Sequence, residues 1–276
     1  MWGSTPSVSQ DSARLAARRS RHRRRVLIAL GILLLALFGA LVWGLRQSPV
    51  RIAHIDVYDA DTALAVYARE AIRGSYFGIV PRDSIFFFPA SRIRAAILAA
   101  HSDIAAVSIF RNGFTGISIK PSARVPIARW CGLAPSPDVE EYCYVFDAGG
   151  LIYAAATGTQ TVNSFTVYAP LADETLEPLL ATVAHAQMLP ATFDFARQLD
   201  TLGSPVTHLV LRGDEVDDYL RSGTRITYVL GREQEAFTAL VSASESFNLV
   251  DGSVEYVDLR FDGKVYLKKK AIGSGQ

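Results

Sequence analysis

Residues 26–45, VLIALGILLLALFGALVWGL, run for twenty positions without a charged side chain. A helix rises about 1.5 Å per residue, so this stretch reaches roughly 30 Å, the hydrocarbon thickness of a bilayer. A secretory signal peptide competes for such a segment. Its apolar region is usually about 7–15 residues, though, and it ends in a small-x-small cleavage pattern. The sequence WGLRQSPV that follows has no such pattern. The stretch therefore reads as an uncleaved single-pass anchor. Seven arginines precede it (Arg14, Arg18, Arg19, Arg21, Arg23, Arg24, Arg25), against Arg46 and Arg51 just beyond. This asymmetry puts residues 1–25 in the cytoplasm as a basic tail, and everything after residue 45 outside it. Trp43 is placed for the outer interface.

The formal net charge of +1 hides a division along the chain. Residues 1–45 carry those seven arginines and one acid, Asp11, which leaves the remainder mildly acidic at −5. A basic run abutting a membrane span sets topology and touches anionic lipid; it is not read as a nucleic-acid site. Residues 1–13, rich in small polar residues, are expected to be disordered.

Beyond the anchor, hydrophobic periodicity predicts an α+β unit over residues 50–121 in the order β-α-α-β-β. Residues 50–58 alternate as a strand. Asp61 or Thr62 caps a helix that Gly74 ends, and Ile93 and Ile97 mark a second helix. Between these helices lies SYFGIVPRDSIFFFP (75–89), whose aromatics are expected to fill the gap between helices and sheet. An Arg111-Asn112-Gly113 turn then joins two strands. Residues 122–270 read as a mainly antiparallel β domain with strands at 124–131, 142–147, 150–155, 164–168, 206–213, 216–221, 224–230 and 254–268. Helices are expected at 174–189 and 233–247, and residues 271–276 form a tail. In 254–268 the apolar residues Val257, Leu259, Phe261, Val265 and Leu267 all fall on odd positions. That parity favours one continuous strand through Gly263 over a two-residue hairpin at Asp262-Gly263. The lysines at 268–270 suit a guarded sheet edge.

Four features together resemble the FtsQ/DivIB family of bitopic cell-division proteins. They are the architecture itself, RVPIARW (124–130), VFDAGGLIY (145–153) and YVDLRF (256–261), with YVLGR (228–232) as a weaker fifth. The resemblance implies a transmembrane helix, a POTRA domain over 50–121 and a β domain over 122–270. It also implies residence in the cytoplasmic membrane at the division site, and a non-enzymatic role holding an FtsB/FtsL-like pair to regulate septal peptidoglycan synthesis. In that family the C-terminal strand of the β domain accepts a strand of FtsB by β-augmentation. The matching residues here are Arg260, Phe261, Val265, Tyr266, Leu267 and Lys268. Partners are then the FtsB/FtsL-like proteins, other divisome membrane proteins through the POTRA domain, and the bilayer, with no nucleic acid. The connector Tyr76–Phe88 and the loop between the two cysteines depart from the simplest family pattern.

Catalytic and metal chemistry find little footing. The five histidines show no metal-ligand spacing, and no cofactor loop occurs. The acidic run Asp214, Glu215, Asp217, Asp218 lacks the glycine and terminal glutamate of a calcium loop and reads as a solvated turn. A membrane-anchored envelope hydrolase or peptidase, with Ser48 and Lys120 as the pair to name, is the alternative from another class. A POTRA component of an envelope assembly or secretion system is a third. Cys131 and Cys143 flank GLAPSPDVEEY. A thiol enzyme would want a neighbouring histidine and arginine motif, which is lacking. An oxidising exterior and the hairpin implied by the resemblance favour a structural disulfide.

Overall fold

The computed structural model describes residues 8–59, 61–136, 142–173, 175 and 177–270, with side chains from residue 22 onward. The tail at 271–276 and the first seven residues lie outside these, but the disorder expected over 1–13 fails from Val8, where a helix already begins. Helix α1 (Val8–Leu45) contains one segment of 24 residues, His22–Leu45, long and apolar enough to cross a membrane: its most apolar 18-residue window has a mean hydropathy of 2.8, and none of that window is buried in the protein. Leucines and isoleucines facing outward over such a length have no counterpart in a water-facing helix.

The chain divides into two compact units, one of residues to 100 and 106–122, the other of 101–105 and 123 onward. In the first, β1 (His54–Val57), β4 (Ile104–Arg111) and β5 (Gly116–Ala123) form a sheet in the order β1-β5-β4, β1 lying parallel to β5. Helices α2 (Leu64–Ala71) and α3 (Ala90–Ala100) pack on each other. Their apolar stripes (Leu64, Ala68, Ile93, Ile97) and the strand residues Ile117 and Ile119 are buried. Asp61 accepts a hydrogen bond from the Ala63 amide ahead of α2, and Gly74 takes positive φ just beyond it.

The connector between these helices departs from expectation. It forms a small hairpin of β2 (Ser75–Tyr76) and β3 (Val80–Pro81), and Ile85 with Ser84 goes inward instead of the aromatics. Phe77, Phe86 and Phe87 stand exposed. Ile52 and Ile85 exchange backbone bonds with the opposite segment, to Asp83 and Val50, and this register turns the phenylalanines away from the core.

The second unit is built on one nine-stranded sheet in the order β14-β13-β12-β11-β10-β9-β6-β7-β8. Its strands are β6 (Ala128–Trp130), β7 (Tyr144–Phe146), β8 (Ile152–Ala155), β9 (Thr166–Tyr168), β10 (Val206–Arg212), β11 (Glu215–Leu220), β12 (Arg225–Val229), β13 (Val254–Asp258) and β14 (Tyr266–Lys269). Most pairings are antiparallel; β9 lies parallel to β6 and β10, and β12 to β13. Helices α4 (Leu189–Thr201) and α5 (Glu233–Ala243) contribute Phe193, Phe195, Leu199 and Leu240 to the same core as Leu209, Ile226, Val254 and Val257. Two of the motifs are tied together here. Arg124 is ion-paired with Asp147, whose other carboxylate oxygen accepts from the Gly149 and Leu151 amides at 2.9 and 3.1 Å. At Gly150, with φ of 78°, a β-carbon would lie 2.5 Å from that of Ala186, so only glycine fits the turn.

Two further expectations fail. Among the described residues of 174–189 there is no helix before Leu189, where α4 begins with Pro190 in its first turn. The described residues upstream instead make single bridges, Thr182 to Leu151 and Val183 to Leu171, with Leu180 and His185 at positive φ. Backbone bonds of 180–184 to Gly150, Ile152, Pro170 and Ala172 thus overrode the helical propensity of the alanines and leucines. The acidic run is not a solvated turn either, because Asp217 and Asp218 sit mid-strand in β11 and are both buried. The turn occupies only Gly213 and Asp214 before it.

Candidate partner-binding edge

Residues 254–268 do not form one strand. β13 and β14 are an antiparallel hairpin, with Val257 opposite Leu267 and Asp258 opposite Tyr266. The seven residues between them, 259–265, close on a Lys264 amide bond to the Phe261 carbonyl, and Gly263 adopts φ of 65°. The odd parity that suggested continuity has a geometric explanation. Side chains alternate with period two, so a loop of odd length returns odd-numbered residues to the same face, whereas a two-residue loop reverses them.

β14 is an edge strand, paired only with β13 among the described residues, and all four of its residues are exposed. The Lys270 amide donates to the Ser253 carbonyl at 2.8 Å. Counting back by twos, the backbone groups of Lys268 and Tyr266 face β13, and those of Leu267 and Lys269 face outward. The outward groups are a row of unpaired donors and acceptors of the kind that templates another strand.

The six residues named for partner contact divide into two kinds. Arg260 is not a free contact. It donates to Asp258 at 3.0 and 2.7 Å, and to Glu215 on β11 at 2.6 Å, bracing the bend after β13 to a strand two places inward. That guanidinium holds the Asp258 carboxyl below its ordinary range against the opposing effect of partial burial, and the two carboxylates raise the arginine. Val265 is half-buried against the main core. Phe261 and Tyr266 are brought together as an exposed edge-to-face pair, ring centroids 5.3 Å apart. Leu267 and Lys268 lie along the edge, Lys268 in an ion pair with Glu255 at 2.9 Å. Phe261, Leu259 and Gly263 also wall a cleft of about 370 Å³ against α5, and Arg232 of that cleft is ion-paired with Asp262.

Sequence reading missed a second feature. On the sheet face away from α4 and α5, one cross-strand row aligns Lys268, Tyr256, Arg225, Tyr219 and His208. The Arg225 guanidinium lies 5.5 Å from the Tyr256 ring centre, and His208 stacks on Tyr219 at 4.4 Å. Alternation within each strand pointed these residues to that face, but their alignment depends on the register between strands, including a bulge in β13 at Val254–Tyr256.

The chain matches no known family profile and no curated protein.

Cys131 and Cys143 are joined in a disulfide, Cα atoms 4.3 Å apart, fastening the end of β6 to the start of β7. Lys120, named for the hydrolase alternative, lies on β5 with its ammonium 3.8 Å from Asp59, and Ser48 lies in a short 3₁₀ turn after α1. Among the described residues no group of three or more His, Cys, Asp or Glu converges as a metal site.

Proposed function

We propose that this chain is a bitopic scaffold of the FtsQ/DivIB kind. Its apolar helix anchors it in the cytoplasmic membrane with the arginine-rich tail inside, its first unit is a POTRA domain, and its second unit is the β domain that receives an FtsB/FtsL-like pair. The observation carrying this reading is the unpaired edge of β14, exposed on both faces and placed directly after the YVDLRF motif. A strand of FtsB laid antiparallel or parallel to β14 would bond the outward groups of Leu267 and Lys269. Phe261 and Tyr266 would supply apolar side-chain contact beside it. The β-α-α-β-β order of the first unit supports the POTRA assignment. Such a role needs no catalytic group: holding the pair at the septum is what regulates septal peptidoglycan synthesis.

The test uses the full-length chain, tagged at its native expression level, with a photoreactive phenylalanine in place of Lys268. Recovery of a covalent adduct with a small bitopic coiled-coil protein of the FtsB type supports the proposal. Recovery of septal partners without any adduct at position 268 would move the dock elsewhere, and absence of septal partners altogether would overturn the scaffold reading.

A further inference from the structure

The first unit ends, on the side where α1 enters it, in a concentration of exposed phenylalanines and arginines that the scaffold role leaves unused. Phe77 sits at the tip of the β2–β3 hairpin and is 99% exposed; Phe114 in the β4–β5 turn is 74% exposed. Large aromatics so fully in water are rare on a soluble surface and mark a docking face. The turns that carry them are hydrogen-bonded to the segment 46–53 that follows the apolar helix. The Arg46 guanidinium donates to the carbonyls of Gly78 and Ile79, at 3.4 and 3.2 Å, immediately after Phe77. The Ala53 amide donates to Thr115, next to Phe114, at 2.8 Å. Leu45, the last residue of α1, is buried.

The same end carries a cleft of about 480 Å³ lined by Arg46, Arg51, Arg69 and Arg73, with Asp83 as its acid. Asp83 is already neutralised by Arg51, whose guanidinium it holds above its ordinary range. Arg73 is ion-paired with Glu70 at the rim, so Arg46 and Arg69 leave the cleft with an excess of positive charge. Arginine presents a planar fork of donors that suits phosphate oxygens.

We infer that this end of the unit is a lipid-docking surface: Phe77 and Phe114 enter the interface of the leaflet from which α1 emerges, while Arg46 and Arg69, with Arg73 beside them at the rim, bind the phosphate of an anionic phospholipid headgroup. The inference rests on the reading of α1 as a membrane span. The headgroup layer is about 5–8 Å deep on each side of the hydrocarbon. Arg46 is the first residue past the apolar run, so a hairpin bonded to its side chain lies at that depth. Aromatic rings with adjoining arginines are the composition that the interface favours. Docking would hold the unit close to the bilayer instead of leaving it free to swing on residues 46–53.

The experiment places full-length protein in nanodiscs of phosphatidylcholine with one-third phosphatidylglycerol. A photoreactive phenylalanine stands in turn at positions 43, 77 and 114, and lipid adducts are read by mass spectrometry. Adducts at all three positions are expected, with the ratio of phosphatidylglycerol to phosphatidylcholine adducts at position 77 at least threefold above the ratio of the two lipids in the disc. Arg69→Ser with Arg73→Ser should abolish that enrichment and leave the adduct at position 43 unchanged. Adducts at 43 but none at 77 and 114 would overturn the docking surface while the span stands. No adduct at 43 would overturn the span, and the inference with it. Adducts at 77 without headgroup preference, unaltered by the arginine substitutions, would overturn the headgroup site.

Discussion

Proline substitutions one residue apart along β14 separate the outward edge from the hairpin that carries it. Proline removes a backbone donor and is tolerated in a sheet only where that donor is not needed. The Leu267 amide faces away from β13, so Leu267→Pro deletes a donor to an added strand and spares the β13–β14 ladder. One net hydrogen bond is worth about 0.5–1.5 kcal/mol, and the fixed φ of proline disturbs the neighbouring bond of the added strand as well. The combined cost to partner binding is then about 1.5–3 kcal/mol, a rise in Kd of roughly 10- to 100-fold, with a thermal midpoint close to that of the parent. The Tyr266 amide faces Asp258 across the ladder. Tyr266→Pro should therefore lower stability by about 1–3 kcal/mol beyond Tyr266→Ala, which accounts for the lost ring. Affinity is measured by titrating the detergent-solubilised full chain with an FtsB/FtsL-like pair, and stability by thermal melting of the same samples. Unchanged affinity in a well-folded Leu267→Pro protein would refute β14 as the dock. Unfolding by Leu267→Pro with indifference to Tyr266→Pro would show that the inward and outward groups are assigned the wrong way round.

Two further outcomes test the β domain itself. Opening the Cys131–Cys143 bridge, by serine at both positions, releases a loop whose ends are 12 residues apart; the chain-entropy estimate gives a loss of about 3 kcal/mol. A denaturant midpoint unchanged by reductant in the parent protein would show that the bridge contributes nothing. Burial pushes the Asp218 carboxyl well above its ordinary range; the nearby Glu233 adds to this and the Tyr228 hydroxyl opposes it. The folded state therefore holds a proton that the unfolded chain releases, so this group's stabilisation is complete below the ordinary carboxylate range. It is lost as pH rises toward the raised folded pKa, at up to about 1.4 kcal/mol per pH unit. Subtracting the stability curve of Asp218→Asn from that of the parent should isolate this decline, and a flat difference would mean that Asp218 is ionised in the fold.

The parts of the structure legible in the sequence are those whose signal is local. Ile93 and Ile97 at helical spacing, the Asn112-Gly113 turn and the apolar length of residues 26–45 each specify an element without reference to distant chain. The illegible parts depend on pairing across distance. Residues 174–189 have helical composition, yet Leu180, Ala181 and Val183 make backbone bonds with Gly150 and Ile152. Asp217 and Asp218 look like surface acids until register places Asp217 against Thr227, whose hydroxyl donates to it at 2.6 Å, with Arg212 closing the other side. Residues 254–268 sharpen the point, because their odd parity is common to a continuous strand and to a hairpin with an odd loop. Only Gly263, at positive φ, hinted at the reversal.

The same register changes what the YVDLRF motif does. Arg260 reads as a contact residue by its position, but Asp258 and Glu215 consume its donors, and freeing it would leave two carboxylates facing each other beside the bend. Its chemistry is spent on fixing where the chain turns. That leaves Phe261 as the one residue of the motif's end both exposed and oriented, because Tyr266 packs edge-to-face against it from the returning strand. Three charges set the hairpin, and the hairpin presents the edge on which the proposed partner strand would lie.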